Sequence, residues 1–154
     1  MAPASTVVAE AFLADHRRLE ALLAELLIAS EARDHLAERK LWLECDAALA
    51  THMECEETHL IPALLRLHER DARVVVHEHR HIRRRLAELG AAIAPHGFSP
   101  GTVRDFIDEV RAHARSEDRL LYRWADAHLG EPEHIAAIAA LTASLGVLST
   151  VPVT

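Results

Sequence analysis

Apolar residues recur at helical intervals along four long stretches of this chain, and this periodicity limits the fold more than any other feature. In the first stretch the apolar stripe consists of Phe12, Leu19, Leu23 and Leu26. Spacings of three, four and seven residues place such side chains on one face of an α-helix. A helix with one apolar face buries that face against other helices. The pattern therefore predicts a bundle of amphipathic helices.

Capping residues, prolines and glycines divide the chain into five predicted helices. These run from after the cap candidates Ser5 and Thr6 to about residue 30, from after Asp34 to about 67, from about 71 to before Pro95, from the cap Ser99 to 129, and from Pro132 to about 146. Pro62 lacks a backbone N–H and should kink the second helix or mark a bend one turn before its end. Short connections between long helices predict an all-α, up-down-up-down four-helix bundle with a short fifth C-terminal helix. We expect a single domain over residues 1–154, with the bundle core at about 6–129 and the C-terminal helix at about 132–146.

Charge and composition narrow the possible partners and compartment. The 24 acidic residues outnumber the 17 lysines and arginines, which argues against a nucleic-acid partner because phosphate binding needs a basic face. No stretch approaches the roughly 20 apolar residues of a membrane span, and the N-terminus lacks signal-peptide features. Cys45 and Cys55, roughly 15 Å apart along one helix, cannot form a disulfide. We expect a cytoplasmic protein without membrane attachment.

Twelve histidines in 154 residues require a metal-related or pH-related explanation. His16 falls on the apolar stripe of the first helix. His52 and Glu56 lie one turn apart on the apolar face of the second helix, and His113 and Glu117 repeat this spacing on the fourth. A bare buried carboxylate costs several kcal/mol, and a shared cation would remove that cost. These five residues are therefore candidate metal ligands.

Other polar residues near these faces are weaker candidates for metal ligands. His59 lies near the face of the first His/Glu pair, whereas Glu57 should point away from it. Asp118 is a second carboxylate option, rotated by about 100° from Glu117. Tyr122, five residues after Glu117, fits packing or a hydrogen bond to a ligand better than ligation.

The third helix carries three histidines within five positions, His77, His79 and His81. The apolar stripe of this helix runs through Val75, Ile82, Leu86, Leu89 and Ile93. His79 lies about 50° from the centre of that stripe, against about 110° for His81 and about 150° for His77. The register selects His79. The one-turn pair His77 and His81 is the alternative if the helix is rotated or irregular.

Histidines and carboxylates that point inward from facing helices are what a metal site in a bundle core requires. Imidazole with carboxylate suits iron, manganese or zinc, and two carboxylates that can bridge favour two metals. The predicted ligands are His16, His52, Glu56, His79, His113 and Glu117. The lower-ranked candidates are His59, His77, His81 and Asp118.

Four motifs in order make the chain resemble the hemerythrin-like (HHE cation-binding) family over roughly residues 8 to 126. They are "DHRRLEALL", "HMECEETHLIP", "EHRHIRRRLAEL" and "HARSEDRLLY". The resemblance implies a four-helix bundle around a non-haem centre of two iron ions, with Glu56 and Glu117 (or Asp118) as bridging carboxylates. It also implies chemistry with a small ligand such as dioxygen, nitric oxide or peroxide.

The chain departs from the oxygen-carrying members of that family, which have a His-x-x-x-His pair on the third helix. If His79 is the second member of the pair, Val75 occupies the first position. If the pair is His77 and His81, the spacing survives but the apolar register does not. A missing histidine would open a coordination position, which favours reactivity over reversible oxygen carriage.

We therefore expect a di-iron protein that reacts with or senses a small oxidant. One alternative is a non-enzymatic module that stores, donates or senses iron and responds through the coupling of metal binding to folding. Another is a structural bundle stapled by zinc.

Overall fold

The structure of this protein is a computed structural model that describes residues 7–93 and 96–149. Its regular elements are helices: α1 Val7–Glu31, α2 His35–His59, α3 Ile61–Leu67, α4 Glu69–Ala92, α5 Pro100–Glu117, a π-helical turn Asp118–Tyr122, α6 Arg123–His128 and α7 Glu131–Ser149. The predicted all-α class is confirmed for the described residues. Helix α7 extends three residues beyond its predicted end.

Two of the predicted caps start helices in the structure. The Asp34 side chain accepts a hydrogen bond from the backbone N–H of Ala37 at 3.1 Å, at the start of α2. Ser99 accepts from the N–H of Thr102 at 3.2 Å, and Pro100 occupies the first turn of α5. Each cap satisfies an N–H that has no partner within its helix. The cap candidates Ser5 and Thr6 lie outside the described residues.

The second predicted helix is two helices in the structure, which corrects the expectation of a single kinked one. Helix α2 ends at His59, and α3 begins at Ile61 with Pro62 in its first turn. Proline has no N–H to donate, and its ring collides with the carbonyl four residues earlier, so the break falls just before it. Only His68 separates α3 from α4, which begins two residues before the predicted start.

The apolar core consists of two clusters of buried side chains. One contains Leu19, Met53, Ile82 and Val110, and the other contains Phe12, Leu60, Val75 and Leu121. On α1, α4 and α5 the predicted ligands lie between residues of the two clusters, as His16 does between Phe12 and Leu19 on α1. The histidines and carboxylates therefore form a polar layer with apolar packing on both sides.

Helix α7 packs on α1 and α2 and adds Ala137 and Leu141 to the second apolar cluster. None of the helices within residues 7–93 and 96–149 is long and apolar enough to cross a membrane.

Candidate metal centre

The structure brings all six predicted ligands together in two overlapping groups. The first group is His16, His52, Glu56 and Glu117, and the second is Glu56, His79, His113 and Glu117. In each group, one potential ligand atom per residue lies within 4.8 Å of those of the other members. Glu56 and Glu117 belong to both groups, so the two groups share their carboxylates.

Helical spacing explains why these side chains converge. His52 and Glu56 are one turn apart on α2, and His113 and Glu117 are one turn apart on α5, so each pair projects from one face. His79 is fully buried on α4. Because four different helices deliver their polar side chains to one layer of the core, residues that are distant in sequence become neighbours.

In the first group, the histidine Nε2 atoms face the shared carboxylates. His16 Nε2 lies 2.9 Å from Glu117 Oε2 and 3.0 Å from His52 Nε2. His52 Nε2 lies 3.1 Å from Glu56 Oε1. The side chain of His16 is 14% exposed, against 3% for His52, so His16 is the member of this group nearest to solvent.

The second group has the same arrangement on the other side of the two carboxylates. His79 Nε2 lies 3.1 Å from Glu56 Oε2 and 3.0 Å from Glu117 Oε1. His113 Nε2 is in contact with Glu117 Oε1. Each shared carboxylate thus directs one oxygen toward each group, which is the arrangement of a carboxylate that bridges two cations.

The close packing of these groups shifts their pKa values away from the ordinary range. Burial opposes a charge on His79, but hydrogen bonds to Glu117 and Glu56 raise its pKa to about 10. Burial likewise opposes a charge on His113, and the neighbouring Glu117 carboxylate raises its pKa to about 9. Burial would raise the pKa of Glu117, but the positive charge of His113 and hydrogen bonds from the histidines hold it well below its usual range. The histidines and Glu117 therefore favour their charged forms within this layer, despite the apolar surroundings.

Tyr122 reaches this layer because of the π-helical turn. In an α-helix a residue five positions on points roughly 140° away, whereas i→i+5 hydrogen bonding stacks residues five apart. The Tyr122 hydroxyl donates to Glu56, and it lies 3.0 Å from Glu117 Oε2 and 2.8 Å from His16 Nε2. Burial and the two carboxylate charges raise the pKa of this phenol well above its usual value. Tyr122 is thus a neutral hydrogen-bonding partner of the candidate ligands.

Three further carboxylates contact the candidate ligands and were missed by the sequence reasoning. They are Asp15, Glu57 and Glu78, which lie beside the Nδ1 atoms of His52, His79 and His113, respectively. Glu57 was expected to point away from the site. It does point away from the shared carboxylates, but it meets His79 of the neighbouring helix. Each of the three directly adjoins a predicted ligand in the sequence, which is the signal that could have identified them.

The lower-ranked candidates lie outside both groups. His77 is exposed, and His81 pairs with Glu109 at 3.0 Å on the bundle surface, so neither member of the alternative pair on α4 belongs to the two groups. His59, the last residue of α2, belongs to neither group. Asp118 approaches His16 Nδ1 at 3.9 Å but supplies no atom to either group, because it lies on the outer side of that ring.

Two buried atoms among the shared and candidate ligands support the fit of this layer to metal ions. Within the part of the chain that the structure describes, Glu56 Oε2 and His113 Nε2 are buried and make no hydrogen bond of regular geometry, although Glu56 Oε2 lies near His79 and His113 Nε2 lies near Glu117. Buried polar atoms are normally satisfied, and a cation bound in the layer would satisfy both. Imidazole nitrogens with carboxylate oxygens form a donor set that iron, manganese and zinc accept.

Comparison with known proteins agrees with this geometry. The family model of the hemerythrin HHE cation-binding domain matches residues 7–141. Searches of curated proteins and of solved structures each find no match to the chain. The matched span includes every candidate ligand and reaches from α1 into α7. The chain therefore belongs to the hemerythrin HHE cation-binding family.

Proposed function

We propose that this protein binds two iron ions and that the resulting centre reacts with or senses a small oxidant, namely dioxygen, nitric oxide or a peroxide. The observation that carries the proposal is the pair of four-residue groups that share Glu56 and Glu117. Each ion would receive two histidines and one oxygen from each shared carboxylate. Four protein donors leave coordination positions open on an ion that accepts up to six, and open positions are where a small ligand binds.

The surroundings of the layer favour a small ligand over a large substrate. The polar layer lies between two apolar clusters, and His79, Glu56 and Glu117 have no exposed surface. His16 is the most exposed of the six proposed ligands. Iron, when bound, supplies the redox chemistry and the open positions, while the protein orients the ligands and excludes bulk water. Val75, fully buried one turn before His79, occupies the place of the additional histidine of the oxygen carriers, which supports reactivity over carriage.

We also propose that residues 1–154 form one domain in the cytoplasm. The long helices α1, α2, α4 and α5 with its continuation α6 would run alternately up and down, with α7 added at one side. The short connections support this order, since only residues 32–34 separate α1 from α2.

The proposed function is tested by loading the protein with Fe²⁺ without oxygen, measuring bound iron, and then adding dioxygen, nitric oxide or hydrogen peroxide separately. We expect two iron ions per chain and new ligand-to-iron absorption bands, or consumption of peroxide. Iron-dependent thermal stabilisation without any reaction would favour the iron-handling alternative. Binding of zinc in preference to iron, with no iron retained, would contradict the proposal.

The three histidines of α4 give a direct test of the proposed ligand set. We expect His79→Ala to lower the occupancy from two ions to one, because the second group loses a ligand whereas the first keeps all its members. The two neighbouring histidines lie outside both groups and provide matched controls, so His77→Ala and His81→Ala should both retain two ions. Iron analysis after desalting measures the occupancy. Full occupancy in His79→Ala, or a loss in either control, would refute the assignment.

Removing the Tyr122 hydroxyl tests its role as a partner rather than a ligand. We expect Tyr122→Phe to lower the unfolding free energy of the metal-free protein by about 1–3 kcal/mol, because the buried Glu56 carboxylate loses the donor that the hydroxyl supplies. Iron occupancy should remain at two per chain. Urea denaturation and iron analysis measure the two quantities. Loss of one iron ion in this variant would show instead that the phenol is itself a ligand.

A further inference from the structure

Three of the four candidate histidine ligands have a carboxylate within hydrogen-bond distance of Nδ1. The Nδ1 atoms of His52, His79 and His113 lie 2.6, 2.8 and 2.9 Å from oxygens of Asp15, Glu57 and Glu78, respectively. The Nε2 atoms of the same rings face the shared carboxylates Glu56 and Glu117. Each imidazole is therefore held between an outer carboxylate and the proposed metal positions.

The outer carboxylates follow the order of the helices. Asp15 of α1 reaches the histidine of α2, Glu57 of α2 reaches that of α4, and Glu78 of α4 reaches that of α5. Asp118, which follows α5, comes nearest to His16 of α1, at 3.9 Å, which is too far for a hydrogen bond. Each of these long helices thus places a carboxylate beside the candidate ligand of the following long helix. Three of the four carboxylate–histidine contacts are hydrogen bonds, and the fourth, Asp118 with His16, is too long.

Each of the three hydrogen-bonded carboxylates also accepts a hydrogen bond from a second side chain. Arg18 donates to the second oxygen of Asp15 at 2.9 Å, and Ser116 donates to the second oxygen of Glu78 at 2.9 Å. Arg83 binds both oxygens of Glu57, at 2.6 and 3.0 Å. A carboxylate held at both oxygens has little freedom to turn, so it defines the orientation of the ring that it faces.

We propose that Asp15, Glu57 and Glu78 are positioning residues that hold the proton of each ligand histidine on Nδ1 and so present Nε2 to the metal ions. This inference rests on the proposed metal centre and goes beyond its six ligands. A neutral imidazole has one N–H, and a carboxylate that accepts it leaves the other nitrogen free as a ligand. The same hydrogen bond makes the ligand nitrogen more basic, which strengthens its bond to the metal.

The missing hydrogen bond between Asp118 and His16 predicts that the four outer carboxylates differ in their effect on metal affinity. The Oδ1 atom of Asp118 is buried without a hydrogen-bond partner, and His16 is the most exposed candidate ligand. His16 is therefore held less firmly than the other three histidines. We expect Asp118→Ala to weaken metal binding less than Asp15→Ala, Glu57→Ala or Glu78→Ala.

Titration of the full chain with Co²⁺ against a competing chelator tests the proposal. We expect Glu57→Ala and Glu78→Ala to weaken Co²⁺ binding about 10- to 100-fold, the range typical of removing a partner behind a metal ligand. Glu57→Gln and Glu78→Gln retain an acceptor oxygen. Their Co²⁺ affinities should therefore lie between those of the alanine variants and that of the unaltered protein. Glu109→Ala is the matched control, because Glu109 pairs with His81 at 3.0 Å outside the centre. It should leave the affinity unchanged within about twofold.

Proton NMR of the Co²⁺-loaded protein provides a signature that a purely structural role would not produce. A ring N–H of a Co²⁺-bound histidine gives a strongly shifted resonance that disappears in D₂O. We expect one such resonance to be lost or broadened in Glu78→Ala, because its proton then exchanges rapidly, and all to remain in Glu109→Ala. The thermal midpoints of the metal-free variants are measured in parallel.

The outcomes separate the inference from the proposed function. Two bound Co²⁺ ions in the unaltered protein, with weaker binding and a lost resonance in the variants, support both. Two bound ions with unchanged affinity in Glu57→Ala and Glu78→Ala, and with all resonances retained in Glu78→Ala, overturn the inference alone. Affinity losses that merely parallel lower metal-free melting temperatures, with all resonances retained, also overturn it. No metal binding by the unaltered protein overturns both.

Discussion

Replacing Glu117 by alanine is expected to abolish metal binding at both positions of the centre. Glu117 is fully buried, and its two oxygens face different groups, Oε2 toward His16 and Oε1 toward His79. Its loss therefore removes one donor from each group and the charge that the two ions would share. We expect the affinity for iron to fall by more than about 100-fold, beyond the effect of losing a partner behind a ligand. Iron analysis after anaerobic loading measures the change.

The control for this prediction lies on the same helix. Glu109 is also a carboxylate of α5 paired with a histidine, but it contacts His81 on the surface, so Glu109→Ala should retain two ions. Glu117→Gln keeps the side-chain volume and guards against a failure of folding, and it should lose iron while its helical circular dichroism is unchanged. Full iron occupancy in a folded Glu117→Gln protein would contradict the bridging role.

Truncation of Phe106 to alanine is expected to cause a large loss of stability without involving the metal ligands. Phe106 is fully buried in the first apolar cluster, and its ring centroid lies 5.6 Å from that of Trp42. Removing a buried phenylalanine costs about 3–5 kcal/mol, because transfer energy is lost and a cavity remains. Urea denaturation of the metal-free protein should show this decrease in unfolding free energy.

An exposed residue of the same helix isolates the effect of burial. Asp105 directly precedes Phe106 and is exposed, so Asp105→Ala should change the unfolding free energy by no more than about 0.5 kcal/mol. Iron occupancy of folded Phe106→Ala should stay at two per chain, since Phe106 lies in the first apolar cluster and belongs to neither group of proposed ligands. A decrease below about 1 kcal/mol would show that the cluster repacks around the missing ring.

Local spacing predicts much of the candidate centre. The one-turn pairs His52/Glu56 and His113/Glu117 depend only on helical geometry, and the apolar register of α4 singles out His79 from its two neighbours. The structure brings these residues together with His16. Their convergence could be predicted because each lies on the apolar face of its own helix, and apolar faces meet in the core.

The partners of the ligands could not be predicted in the same way. Whether Glu57 meets a histidine depends on the rotation and offset of α2 against α4, which the sequence of either helix leaves open. The π-helical turn at Asp118–Tyr122 likewise does not follow from the helical period of the sequence, whereas the end of α2 before Ile61 follows from Pro62.

The sequence by itself determined the helical class and the face on which each candidate ligand lies, because both follow from the 3.6-residue period within single helices. Only the tertiary structure decided which atoms meet: that Glu56 and Glu117 are shared by two groups, that Tyr122 reaches them, and that Asp15, Glu57 and Glu78 stand behind the histidines. These contacts join residues of different helices. They are set by interhelical packing, for which no local period in the sequence exists.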